Sequence, residues 1–245
     1  MVVEASAPAA CALTGRRGAV PLEVAMTRHF GSDDTPEVRL DSGNDIVVGP
    51  FSAAISAKCG DPRLLRSLHE RHDALRRSHR VRDESGPTGT NITVATALLA
   101  ADRVLSDRLP DPEQRQKLLE QALVEPLAEM TQEATAAALD TADDPFAAMV
   151  ATARERETSA FGPRFVFAHP VDGDAEFISE VRHCFFHELL TRHGAGHLTS
   201  ILCAFDANWM DAVVPGRHGF TVDRATTIAA GGASCPFRFR RVATG

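Results

Sequence analysis

The chain has 245 residues, of which 44% are hydrophobic and 24% charged, with a formal net charge of −7 and a sequence pI near 5.8. An acidic chain without a lysine and arginine stripe is not built to track nucleic acid, and it contains no run of about 18 apolar residues that would span a membrane. Its first twenty residues read poorly as a signal peptide, and Cys11, Cys59, Cys184, Cys203 and Cys235 match no compact disulfide framework, so a reduced, cytoplasmic protein is expected.

Residues 1–40 are rich in Ala, Gly, Pro and charge without periodicity and read as a loosely ordered arm. The remainder, 41–245, reads as one domain with a helical part over 61–161 and a mixed α/β part over 164–241. Ile46 to Phe51 suggests a short extended piece. Asp61-Pro62 is a helix start, with Asp61 as N-cap and Pro62 in the first turn. His69, His72 and Asp73 on that helix lie near one another as metal ligands would. No further ligand is spaced to complete a site, so a solvated amphipathic helix is the reading. The stretch Asp83 to Asn91 is the clearest break, followed by a helix over 93–109. Asn91 either caps that helix or reaches into a pocket. Pro110-Asp111-Pro112 opens the next helix, which Pro126 should kink or divide. Asp143-Asp144-Pro145 starts another helix, ending at Phe161-Gly162-Pro163; Arg154 and Arg156 in its tail read as a solvated face.

From Arg164 to Pro170 the pattern alternates as a strand does. A helix from near Phe177 would then carry Phe177, Ile178, Val181, Phe185 and Leu189 as its apolar stripe, with Cys184 at the edge and His187 beyond. A second helix would bury Leu198, Ile201, Leu202, Phe205 and Trp209, and Cys203 and Asp206 flank that face. A carboxylate beside an apolar stripe is costly unless paired, which singles out Asp206. A β-hairpin closes the chain: it turns at Gly231 and Gly232 and aligns Cys235 with Phe237 and Phe239 on one face. The fold class expected is α+β, a helical N-terminal half packed on a small antiparallel sheet that includes the C-terminal hairpin.

Free cysteines are usually small core hydrophobes, and the spacings of Cys184, Cys203 and Cys235 fit no standard zinc pattern. Nor is there a dinucleotide fingerprint, P-loop, H-E-x-x-H or G-x-S-x-G motif, so no cofactor and no metal are implied. Residue types alone point to a pocket of thiols and one carboxylate without naming a reaction.

Three motifs occur in order: Cys-Phe-Phe-His at 184–187, Leu-Cys-Ala-Phe-Asp-x-Asn-Trp at 202–209, and Gly-Gly-x-x-Cys-x-Phe-x-Phe at 231–239. Together with segments 90–99 and 144–150 they resemble the L-2-amino-thiazoline-4-carboxylic acid hydrolase family, in its actinobacterial members, over about Gly89 to Arg241. The strand, helix and hairpin order also resembles, more loosely, the vinyl-reductase type of ligand-binding domain. The first resemblance implies a hydrolase opening a carbon–nitrogen bond of a small cyclic amidine. In that reading Cys184 or Cys203 is the nucleophile and Asp206 is the base or the partner of the amidinium. His187, Trp209, Gly231, Gly232, Cys235 and Asn91 are the candidate substrate-binding residues. A ring-closing enzyme, forming for example an aziridine, would use Asp206 and leave the thiols idle. In a non-catalytic binding module of the vinyl-reductase type the cysteines would be inert core residues or zinc ligands. The expected partner is a small-molecule substrate, with a homodimer or a small partner subunit compatible with the arm.

Overall fold

The computed structural model describes Cys11 and residues 44–79 and 86–242. The expected arm over 1–40 lies outside these residues except for Cys11, as do positions 83–85 of the predicted break. Val48, Phe51, Ile55 and Cys59 recur at helical spacing and are all buried. They draw residues 44–59 into a π-helical turn (Asn44–Val48) followed by α1 (Gly49–Cys59), where an extended piece was expected. The six residues from Ile46 to Phe51 were too short a window to reveal that stripe.

Helix α2 (Leu64–Ser78) starts later than Asp61. The Asp61 carboxylate instead accepts from the Arg63 amide at 3.0 Å and pairs with Arg108 at 2.9 Å. His72 is a buried core residue whose Nε2 donates to the Thr93 carbonyl at 3.0 Å, tying α2 to α3 (Pro87–Leu105). Proline in its first turn lets α3 begin six residues earlier than predicted. Helix α4 (Pro112–Thr141) is capped by Asp111, which accepts from the Glu113 amide at 3.0 Å. Pro126 does not divide it: α4 runs 30 residues unbroken, flanked by α1 and by α7 (Thr199–Met210) and burying Leu118, Leu119, Ala122, Leu123 and Leu127. Helix α5 (Pro145–Arg156) passes into a π-helical turn, Glu157–Phe161, stopped by Gly162 at φ 71°.

Four antiparallel strands form one sheet in the order β1-β2-β4-β3. They are β1 (Val166–Ala168), β2 (Glu176–His183), β3 (Phe220–Arg224) and β4 (Cys235–Arg241). The α+β class, the hairpin and the strand within 164–170 are as expected. The helix expected from Phe177 is instead β2, and α6 (Phe185–Arg192) begins only after Cys184. Strand β2 is hydrogen-bonded on both sides and buries Ile178 as well as Phe177, Ser179 and Val181. A strand covered on both faces loses the period-2 signature, and its apolar letters then fit a helix equally well.

The helices share one core, built on Ile55, Leu98, Leu118, Leu119, Leu198 and Ile201. Two smaller clusters join the sheet to them, one around Phe165, Val181, Phe185 and Cys235 and one around Phe146, Phe177, Phe220 and Phe239. Cys11 and Cys59 form a disulfide, against the expectation of reduced thiols throughout. Such bridges are rare in a reducing cytosol, so cysteine usage no longer argues for that compartment. No helix among the described residues is long and apolar enough to cross a membrane.

Candidate functional site

The ends of α3, α5, α7 and the hairpin enclose a cavity of about 440 Å³ where the helical core meets the sheet. Cys184, Cys203, Cys235, Asp206 and Asn91, scattered over 145 positions of sequence, all line it. Phe161, Phe165, Phe186, Phe205 and Phe237 supply much of the remaining wall. An alcove of about 50 Å³ adjoins it and shares Arg156, Phe161, Val181, Asp206 and Phe237 with the larger space.

Each thiol is held by local structure. Cys184 is the N-cap of α6, with its side chain beside the Phe186 and His187 amides, which pull its pKa down. A helix N-terminus ordinarily favours thiolate, but burial dominates here and pushes the thiol up to about 12, with Cys203 and Cys235 nearby adding to the shift. Cys203 on α7 is likewise raised by burial to about 11, against a lowering pull from Arg224. Cys235 opens β4, where its sulfur accepts from the Ile228 amide at 3.1 Å, and burial raises it too. All three are protonated near neutrality. Among the described residues, no group of three or more His, Cys, Asp or Glu side chains is arranged to hold a metal ion.

Asp206 sits one turn along α7 from Cys203. Arg224, the last residue of β3, reaches both: Nη2 donates to the Cys203 carbonyl at 2.8 Å and Nη1 lies 3.4 Å from the Asp206 carboxylate. Its guanidinium also stacks 5.0 Å from the centre of the Phe237 ring. The Asp206 carboxyl is nevertheless raised above the ordinary carboxylate range, because desolvation outweighs the lowering pull of Arg224, Arg156 and Trp209. A carboxyl shifted in that direction is better matched to proton transfer near neutral pH.

Other predicted residues fall elsewhere. His187 does not line the cavity; its Nδ1 meets the Thr199 hydroxyl at 3.2 Å, and Thr199 is the lining residue. Trp209 lines the alcove, stacked on Phe237 and Phe239 with ring centroids 6.0 Å apart. Gly231 and Gly232 line neither space. Gly231 has φ 85°, and a Cβ on Gly232 would stand 2.4 Å from the Thr226 hydroxyl, so the turn itself requires both glycines. Asn91 faces the cavity from inside α3, with its side-chain amide donating to the Ala160 and Phe161 carbonyls at 3.1 and 2.9 Å. It is neither a cap nor a free pocket amide.

Two arginines were missed. Arg224 carried a signal, because it shares strand parity with the buried Phe220 and with Val222 on β3. Arg156 did not: it stands in a run of charges at the end of α5, yet it lines the cavity wall.

A family model described as L-2-amino-thiazoline-4-carboxylic acid hydrolase matches residues 90–239, well over half of the chain. The match takes in Asn91 at one end and the whole hairpin at the other, so every side chain discussed above falls inside it. No curated protein and no solved structure matches the chain.

Proposed function

The chain belongs to the L-2-amino-thiazoline-4-carboxylic acid hydrolase family, and from that premise we propose that it opens a small cyclic amidine with water, using Asp206 for the proton transfers. Support comes above all from one observation: Asp206 is the cavity's only carboxylate among the described residues, and its pKa is raised by burial while all three neighbouring thiols are raised out of reactive range.

In this reading, water attacks the carbon between ring nitrogen and sulfur. Asp206 takes a proton from the water as its oxygen bonds to that carbon. The ring carbon–nitrogen bond then breaks, and the departing nitrogen takes the proton back from Asp206, leaving an amine and a carbamoyl group on sulfur. One water is consumed and the carboxylate is regenerated. Arg224 holds Asp206 in place from the sheet side. The phenylalanine walls exclude bulk water, which strengthens each charge interaction inside. The cysteines contribute shape and apolar surface in this scheme, which departs from the sequence-based expectation that Cys184 or Cys203 attacks.

The test is turnover of 2-amino-thiazoline-4-carboxylate, followed by release of a primary amine. Hydrolysis by the wild type that survives C184A and C203A and is lost in D206N supports the reading. Loss of activity in either cysteine variant, with the fold intact by circular dichroism, rejects it.

The same thiol energetics favour a second reading, ring closure. There Asp206 would take a proton from an amine as that nitrogen displaces a leaving group within one molecule. A substrate screen showing formation of a strained ring and no hydrolysis would select it.

A further inference from the structure

The cavity contains two guanidinium groups and one carboxylate, and the cations are not equivalent. Arg224 is committed, to the Cys203 carbonyl, to Asp206 and to the Phe237 ring. Arg156 lines both the cavity and the alcove, yet among the described residues no carboxylate lies within ion-pair distance of it. Its one contact of note is with the face of Phe161, whose ring centroid is 5.9 Å from the guanidinium carbon. It is close enough to Asp206 to oppose that residue's pKa rise, so the two opposite charges share the wall between the two spaces.

A guanidinium in a largely apolar enclosure with no carboxylate in ion-pair contact is matched, by charge and by its planar fork of donors, to a ligand carboxylate. The surrounding rings, Phe161 and Phe237 among them, suit a flat ligand body. We propose that Arg156 is the specificity-determining residue of the cavity: it anchors the carboxylate of a small planar ligand and so presents the far end of that ligand to Asp206. The inference deepens the function proposed above and rests on it for the identity of the ligand's reacting end. The charge arrangement by itself calls only for a planar carboxylate. Gly231 and Gly232, expected among the substrate-binding residues, do not line the cavity and leave that role to Arg156.

Trp209 is the only tryptophan in the chain. Because it lines the alcove beside Asp206, its fluorescence reports binding without turnover. Titration of the full chain with 2-amino-thiazoline-4-carboxylate and with 2-amino-thiazoline, which lacks the carboxylate, measures how much the anion contributes. The expected result is tighter binding of the carboxylate by the wild type, on the order of 10- to 100-fold, which is the usual range for charge-assisted hydrogen bonds. That preference should disappear in R156Q while affinity for 2-amino-thiazoline stays the same, and R156K should restore part of it. Thermal unfolding followed by circular dichroism checks that both variants fold. The proposal is overturned if the wild type binds the two probes equally or binds neither, or if R156Q keeps the preference. Binding and hydrolysis separate the two readings. An Arg156-dependent preference without hydrolysis removes the proposed reaction and leaves this anchor standing, whereas hydrolysis with a preference indifferent to R156Q removes the anchor alone.

Discussion

Two sets of side chains in the cavity wall differ in how burial acts on them. In one, Cys184, Cys203 and Cys235 are neutral groups that burial keeps neutral, up to about 12 for Cys184 and about 11 for Cys203. In the other, Asp206, Arg224 and Arg156 form a charged set in which desolvation raises the carboxyl and the arginines draw it back. The same low-dielectric wall that silences a thiol near neutrality moves a carboxyl toward it, because the unperturbed values lie on opposite sides of pH 7. Thiols gathered in a pocket are therefore no sign of thiol chemistry. Under the proposed function, the acid–base partner is the group whose shift brings it closer to neutral.

The largest effect that would break this comparison is expected at Asp206. D206N should lower kcat by about 10²- to 10⁴-fold, the usual contribution of a positioned acid–base group. Its stability should move the other way. A carboxyl whose folded pKa is raised stabilises the fold below its unfolded pKa and loses that contribution as pH rises through the folded value. D206N should therefore match or exceed the wild-type Tm at pH 7, with the gap closing toward acid pH. Calorimetry across pH checks this. A kcat within tenfold of wild type would move the chemistry off Asp206.

The thiol side is tested by alkylation. A thiol at about 11 or 12 is ionised some hundredfold to several thousandfold less at pH 7 than one near 8.5. Native Cys184 and Cys203 should therefore react with iodoacetamide slower than a free thiol by at least two orders of magnitude, as followed by mass spectrometry. Labelling of either within minutes at pH 6 to 7 would restore it as a nucleophile and erase the contrast.

A smaller effect sharpens the charged side. Arg224 lowers the Asp206 pKa, so R224Q should move the acidic limb of the kcat/KM profile to higher pH. A limb that stays put, or moves down, would show that Arg224 does not set the Asp206 titration.

Much of this arrangement was legible in the residues, and the illegible part has identifiable causes. The hairpin showed in the alternation of Cys235, Phe237 and Phe239, and the oddness of Asp206 showed in its position beside an apolar stripe. Strand β2 was hidden because burial of Ile178 as well as Phe177 and Val181 blurs the period. That error set Cys184 at the edge of a helical stripe, when it is the residue at which strand gives way to helix. The Cys11–Cys59 bridge was out of reach, because a separation of 48 residues leaves no local spacing to read. Arg156 was hidden by its own neighbours, since a charge among charges on a helix end looks solvated.

The smallest expected effect bears on whether the hairpin turn serves the fold or the ligand. Gly231 has φ 85° with open space around the position where a Cβ would stand. Gly231→Ala thus meets no clash, and its cost is the left-handed backbone alone, about 1–2 kcal/mol. If the turn were a nest cradling a substrate carboxylate, the same substitution would also tilt its amides and raise KM. Because neither glycine lines the cavity, the expectation is a lower Tm with kcat and KM per folded molecule unchanged. A raised KM for 2-amino-thiazoline-4-carboxylate, with none for the analogue lacking the carboxylate, would give the anchoring role to the hairpin and take it from Arg156.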